Sequence, residues 1–218
     1  MKPIHSLIAI AALSSTLLAG NGQGKSPQQN SALQVQQCDV NQSMIDTTIY
    51  PLSYEQQSAM EFMYEEEKMA RDIYLTFYDA YGLRIFQNIA KAEQKHMDTI
   101  KTLLDKYSID TGVDVNDIGH YIDADIQALH DQLIAQGMQS LEEALKVGQA
   151  IEIVDIEDLD IAIANANPDA TLIYERLRVA SESHLAAFTR LIDGDIQARP
   201  QDGTSSNNTK GSKKSNRR

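Results

Sequence analysis

The stretch Ala92-Glu93-Gln94-Lys95-His96 decides how this chain reads. A carboxylate and an imidazole three residues apart on a helix share one face. Around them Phe86, Ile89, Ala90, Met97, Ile100, Leu103, Leu104 and Tyr107 recur at three- and four-residue steps. These residues mark the apolar stripe of a helix over about 83–107. Glu93 and His96 fall inside that stripe. Burying an unpaired carboxylate is costly. Either this helix breaks its own pattern or something buried is held by Glu93 and His96.

Working outward, three more long helices show the same anomaly. A helix over about 53–81 opens on Ser53 and Gln56, the pattern of a capping box, and closes at Gly82. Its stripe is Met60, Met63, Ala70, Tyr74, Phe77 and Tyr81, and Glu67 lies within it. Glu65 points elsewhere and Glu66 is the adjacent alternative to Glu67. The bland reading of this Glu-Glu-Glu run is a solvated face with Glu67 paired to Arg71. A third helix opens on Ser140 and Glu143, and its stripe of Leu141, Leu145, Gly148, Ile156, Leu159 and Ile163 takes in Glu152 and Asp155. Glu157, Asp158 and Asp160 turn away as a wet face. After the break Asn167-Pro168-Asp169, a fourth helix over about 170–192 carries Ile173, Leu177, Ser181, His184, Phe188 and Leu191, with His184 central. Glu182 is on the opposite side and pairs with Arg178.

The short link at Gly82 implies antiparallel neighbours. Between the second and third long helices, 108–119 is rich in Asp, Gly and Asn, and a shorter helix follows over about 124–135. Asp114, Asn116 and Asp117 lack the glycine and distal glutamate of an EF-hand loop, so a calcium loop is rejected. His130 reads as a surface side chain. The expected fold is all-α: an antiparallel four-helix bundle with a long crossover containing a short extra helix.

Composition bounds the rest. The chain has 218 residues with formal charge −12. Residues 46–198 hold 29 acids against 11 bases, while five bases crowd into 210–218. So acidic a core repels phosphate, which argues against nucleic acid as a partner, and attracts cations. Cys38 is the one cysteine, so neither an intramolecular disulfide nor a thiolate cluster can form. It reads as an inert thiol or as an intermolecular disulfide after export.

Residues 1–24 read as a signal peptide: Lys2, an apolar run over 7–18, then Ala19, Gly20 and Gly22. An uncleaved anchor is the alternative. Either way the domain is expected outside the cytoplasm, periplasmic or extracellular, with no membrane span after cleavage. Residues 25–48 are a Gln-, Asn- and Ser-rich flexible linker, 49–198 the helical domain, and 199–218 a disordered basic tail. The tail is either inertly solvated or in contact with an anionic lipid, a surface polymer or the acidic core.

Each of the four long helices thus places a polar group in its stripe near its middle: Glu67, then Glu93 with His96, then Glu152 with Asp155, then His184. Four carboxylates in one core repel and desolvate each other severely unless positive charge compensates. Two divalent cations balance four carboxylates and two neutral imidazoles. Oxygen and imidazole donors without thiolate suit iron or manganese, with zinc an alternative.

This pattern resembles the ferritin-like di-metal bundles, in which two helices each give a Glu and two give Glu-x-x-His. The segment Glu67-Lys68-Met69-Ala70-Arg71-Asp72-Ile73-Tyr74 is similar to the first-helix ligand segment of that superfamily, and Glu93 to His96 to its second-helix motif. Glu152 with Asp155 resembles the paired third-helix carboxylates of rubrerythrins. More closely, Ser140-Leu141-Glu142-Glu143-Ala144-Leu145, Asp155-Ile156-Glu157-Asp158-Leu159 and Ser183-His184-Leu185-Ala186-Ala187-Phe188 resemble the ferritin-like domain-of-unknown-function family 2202. The resemblance implies a dinuclear centre with Glu93 bridging and His96 and His184 each capping one metal. Glu67 and either Glu152 or Asp155 serve as terminal or bridging ligands. Tyr64 and Tyr74 are candidate donors to the ligands, with core packing the favoured role of each phenol. The implied chemistry is oxidation of Fe²⁺ by oxygen or peroxide, or peroxide reduction, and with no Cys-x-x-Cys pair it needs an external electron donor.

The departure is Ser181, where the superfamily pattern asks for Glu. Asp155 compensates, one metal is held weakly, or one metal binds. The rival reading is a non-enzymatic module for metal sequestration or protein binding, and a homodimer fits either. A purely structural bundle is opposed by the excess of carboxylates. From repulsion alone, replacing Glu93 by alanine is expected to abolish metal binding and to leave the metal-free fold unchanged or more stable.

Overall fold

A computed structural model describes residues 47–195. The signal-peptide and tail readings, Cys38, and all but the last two residues of the linker lie outside the described residues. Those described residues fold as five α-helices with no strand: α1 (Tyr54–Tyr81), α2 (Arg84–Lys106), α3 (Ala124–Gly137), α4 (Leu141–Asn165) and α5 (Pro168–Arg190). A π-helical turn, Leu191–Asp195, follows.

Local chemistry sets the boundaries. The Ser53 side chain accepts from the Gln56 amide at 3.2 Å while the Gln56 side chain accepts from the Ser53 amide at 3.0 Å, so both arms of the capping box form. Gly82 ends α1 in the left-handed region at φ 65° and donates its amide to Tyr78 O. Ser140 caps α4 through the Glu143 amide. At the predicted break, Asn167 caps α5 and Pro168 sits in its first turn, where its missing N–H costs nothing.

The links at Gly82 and at Ala166-Asn167 are so short that α1–α2 and α4–α5 must form antiparallel hairpins. The hairpins join through α1 against α4 and α2 against α5, and α3, carried in the crossover, packs on α1 and α4. This is the expected four-helix bundle with an extra crossover helix. Among the described residues no helix is long and apolar enough to cross a membrane.

The core contains an aromatic layer. The Tyr74 and Phe188 rings lie 5.4 Å apart, Phe86 and Phe188 5.9 Å, and Phe77 and Phe86 5.5 Å. Gly148 of α4 makes room for it: a Cβ there would stand 2.5 Å from Phe188 Cε1 and Cζ. Phe188 is fully buried and has nowhere to retreat. Gly148→Ala is therefore expected to overpack the core and to cost about 1–3 kcal/mol. Thermal denaturation checks it. Tm should fall by roughly 5 °C, and adding Phe188→Leu should recover part of the loss.

The expectation of a single buried stripe along α1 fails. The α1 segment from Phe62 to Tyr74 is buried on every side, not along a stripe. The Glu-Glu-Glu run is no solvated face, because 108–123 and α3 cover the flank of α1 that α2 and α4 leave open. Glu65 accepts from the Ile122 and Asp123 amides at 2.7 and 3.1 Å. Lys68, with no exposed surface, donates to Asp72 Oδ2 at 2.8 Å, to Asp117 O at 2.7 Å and to His120 O at 3.1 Å. Arg71 pairs with Asp72 and not with Glu67. The His130 side chain is mostly covered, its ring 5.2 Å from that of Tyr121. A loop that lies far away in sequence decides all of these contacts, and helical periodicity does not register it.

Candidate metal centre

Glu67, Glu93, His96, Glu152, Asp155 and His184 are all buried, each no more than 6% exposed. Two helix pairs bring them to one place. From α2, His96 Nδ1 lies 2.7 Å from Glu93 Oε2 and 3.2 Å from Glu67 Oε2 of α1. From α5, His184 Nδ1 lies 3.0 Å from Glu93 Oε1 and 3.4 Å from Glu152 Oε2 of α4. The two oxygens of Glu93 thus face different histidines. The result is two groups of buried donors, Glu67-Glu93-His96 and Glu93-Glu152-His184, each able to bind a metal ion and sharing Glu93. The imidazole rings stack with centroids 5.7 Å apart.

Asp155 lines the same cleft without joining either group. Its carboxylate is within hydrogen-bonding reach of Ser181, whose fully buried hydroxyl donates to Leu177 O at 3.0 Å. Asp155 therefore reaches towards the position where the helical pattern lacks a carboxylate.

The geometry fits a cation better than it fits a self-satisfied polar core. Glu67 Oε1, Glu93 Oε1, Asp155 Oδ1 and His184 Nδ1 are buried with no hydrogen-bond partner among the described residues. His184 Nδ1 and Glu93 Oε1 are 3.0 Å apart yet not aligned for a hydrogen bond. Buried polar atoms are nearly always satisfied, so a cluster of orphaned donors converging on one cleft is what a bound cation would complete.

The electrostatics agree. Burial pushes the Glu67 carboxyl well above the usual range, with His96 opposing it and Asp155 adding to it. Burial, then the Glu152 charge, raises Asp155 to about 7. Burial also raises Glu152, against the pull of His184. Glu93 goes the other way: burial works against its ionisation, but His184 and His96 together hold it below the usual range. Burial would lower both histidines, yet Glu67 and Glu93 push His96 well above its ordinary value, and Glu93 and Glu152 raise His184 to about 10.

Four residues around this cluster differ from the sequence reading or were left open by it. Tyr74 supports Glu152, donating its hydroxyl to Glu152 Oε1 at 2.7 Å and leaving Oε2 towards His184. Tyr64 is buried in the core. Glu66 does not merely substitute for Glu67: both are buried and both line the cleft. Asp158 is only 5% exposed and adjoins Glu66, whereas Glu157 and Asp160 are exposed as the wet-face reading expects. Asp158 follows Asp155 by three and Glu152 by six, which puts all three on one helical face. That spacing is the signal that could have found it.

Residues 56–208 match the family described as uncharacterized protein domain (DUF2202). The chain is 42% identical over 144 residues to uncharacterized protein MJ0754 of Methanocaldococcus jannaschii, an alignment covering 66% of this chain and 78% of that one. The crystal structure of hypothetical protein MJ0754 superposes with a TM-score of 0.65 at 41% identity, covering 67% of this chain and 84% of that chain. The matched span takes in all of the bundle but the first two residues of α1, with all six residues of the buried cluster, and the chain belongs to the DUF2202 family.

Proposed function

We propose that the bundle core binds two divalent cations, iron foremost and manganese or zinc as alternatives, with Glu93 shared between them. The observation that carries this is the split of Glu93, whose two oxygens each face a separate histidine-carboxylate group. In this reading Glu67 and His96 hold one cation, and Glu152 and His184 hold the other. Asp155 supplies the fourth carboxylate in place of the glutamate that Ser181 lacks. Tyr74 holds Glu152 through Oε1 and leaves Oε2 towards His184. Bound iron would supply electron transfer with oxygen or peroxide, giving ferrous-ion oxidation or peroxide reduction with an external electron donor. The buried hydroxyl of Ser181 cannot bridge as a carboxylate does, which favours a second reading: storage or sequestration of metal without turnover. The exported location read from 7–18 belongs to the same proposal.

Anaerobic titration of the metal-free protein with Fe²⁺ tests binding. The expected result is saturation near two per chain. No uptake of Fe²⁺, Mn²⁺ or Zn²⁺ at micromolar concentration would sink the proposal. Exposing the loaded protein to oxygen then separates the two readings. A new near-ultraviolet band supports redox chemistry, and its absence supports sequestration.

The same titration should depend on pH. A ligating imidazole must lose its proton, and the surrounding carboxylates hold that proton on His96 and His184. Cation and proton compete, so affinity rises with pH. One to two protons released correspond to roughly 10- to 100-fold per pH unit between 6 and 8. Calorimetry in buffers of different ionisation heat checks the proton release. Metal-free stability runs the opposite way. The His184 pairing stabilises fully below the unfolded histidine value of 6.5 and is lost as pH rises through about 10.

A further inference from the structure

A groove of about 570 Å³ runs between the N-terminal half of α1 and the C-terminal half of α4, walled by residues that include Ala59, Phe62, Met63, Ala162 and Asp158. Asp158 is a buried carboxylate in a largely apolar wall. It adjoins Glu66, which is 4% exposed and whose Oε2 has no hydrogen-bond partner. Glu66 in turn lines the inner cleft beside Glu67, Glu93, Glu152 and Asp155. A file of carboxylates therefore leads from the groove to the metal centre. The buried cations of α1, Lys68 and Arg71, are committed to Asp72 and the crossover loop and do not neutralise it. Clefts of one charge sign with low-dielectric walls focus their field and raise the local concentration of counter-ions. An orphaned buried oxygen beyond such a groove is a binding position for a cation in transit.

We propose that Glu66 and Asp158 form a staging site that passes divalent cations from the α1–α4 groove to the centre shared by Glu93. This rests on the dinuclear metal reading above. Glu66 and Asp158 are then positioning residues for loading, separate from the groups that hold the metal at equilibrium.

Stopped-flow uptake of Co²⁺ by the metal-free full chain tests the route, read by cobalt absorption and followed by the equilibrium cobalt content. Two variants are compared with wild type. Glu66→Gln removes the inner carboxylate. Ala59→Trp fills the groove from a partly exposed position without changing any charge, and it decides the question even if Glu66→Gln fails to fold. Both should load at least ~10-fold more slowly and still reach the wild-type cobalt content. Wild-type loading rates in a folded form of either variant overturn the route. If wild type reaches two cobalt ions per chain and the variants are not slowed, only the staging site falls. If wild type takes up no cobalt, both the staging site and the dinuclear reading fall.

Discussion

Glu93→Ala is expected to abolish metal binding at both positions at once. Its two oxygens are the only donors common to the two groups, so a single substitution removes a ligand from each. Losing an outer partner of a metal ligand already costs about 10- to 100-fold in affinity, and losing the shared ligand should exceed that. Metal analysis after equilibration with micromolar Fe²⁺ checks it; wild-type stoichiometry in this variant would refute the bridging role. The metal-free protein should also lose stability. Repulsion among clustered carboxylates, considered from sequence, predicts the opposite. In the structure, however, Glu93 is held ionised against its burial by His184 and His96. A carboxyl with a lowered folded pKa stabilises above its unfolded value of 4.5, and that contribution is lost only as pH falls through the lower folded value. At pH 7 Glu93→Ala therefore removes a stabilising charge and leaves two imidazoles with one carboxylate partner fewer each. Tm of the metal-free variant should fall below wild type.

Asp72→Ala should unfold more protein than any substitution in the candidate metal centre. Asp72 is fully buried and accepts five hydrogen bonds. They come from Lys68 Nζ at 2.8 Å, Arg71 Nε and Nη2 at 2.9 and 2.7 Å, the Gly119 amide at 3.1 Å and the Tyr121 hydroxyl at 3.2 Å. Its removal leaves Lys68 and Arg71 as buried cations with no carboxylate between them. Breaking a buried pair in this way costs about 3–5 kcal/mol, or roughly 10 °C in Tm for a domain of this size. The crossover should loosen first, because Asp72 anchors it through Gly119 and Tyr121. Faster amide exchange over 115–123 would show this, and a Tm within about 2 °C of wild type would refute the anchoring role. Asp72→Asn, which keeps the shape and one acceptor, should fall between the two.

The buried cluster of carboxylates and imidazoles was largely legible because its members break a strong pattern. Glu93 and His96 sit within the α2 stripe, His184 in that of α5, and Glu67, Glu152 and Asp155 in theirs, and all six are buried. Caps at Ser53, Ser140 and Asn167 and the turn at Gly82 are local chemistry within a few residues, so they too could be read directly. The failures share a cause. Glu66 stands about 100° around the helix from Glu67, in a run where three glutamates compete for one stripe. Its burial comes from packing against another helix, α4, whose Ile151, Glu152 and Asp155 line the same cleft. Lys68 and Asp72 have the spacing of a surface ion pair, and nothing within α1 distinguishes that from a buried one.

By itself, then, the sequence determined the helices, their ends, the hairpin pairing and six of the polar residues aimed at the core. Those properties follow from backbone chemistry and from periodicity within single segments. Only the tertiary structure decided which oxygen of Glu93 faces which histidine, that Tyr74 holds Glu152, that Asp158 and Glu66 connect a groove to the centre, and that the crossover seals α1. The physical reason is that these are contacts between helices. Each depends on the rotation of one helix about its axis relative to another, and packing across the whole bundle sets that rotation.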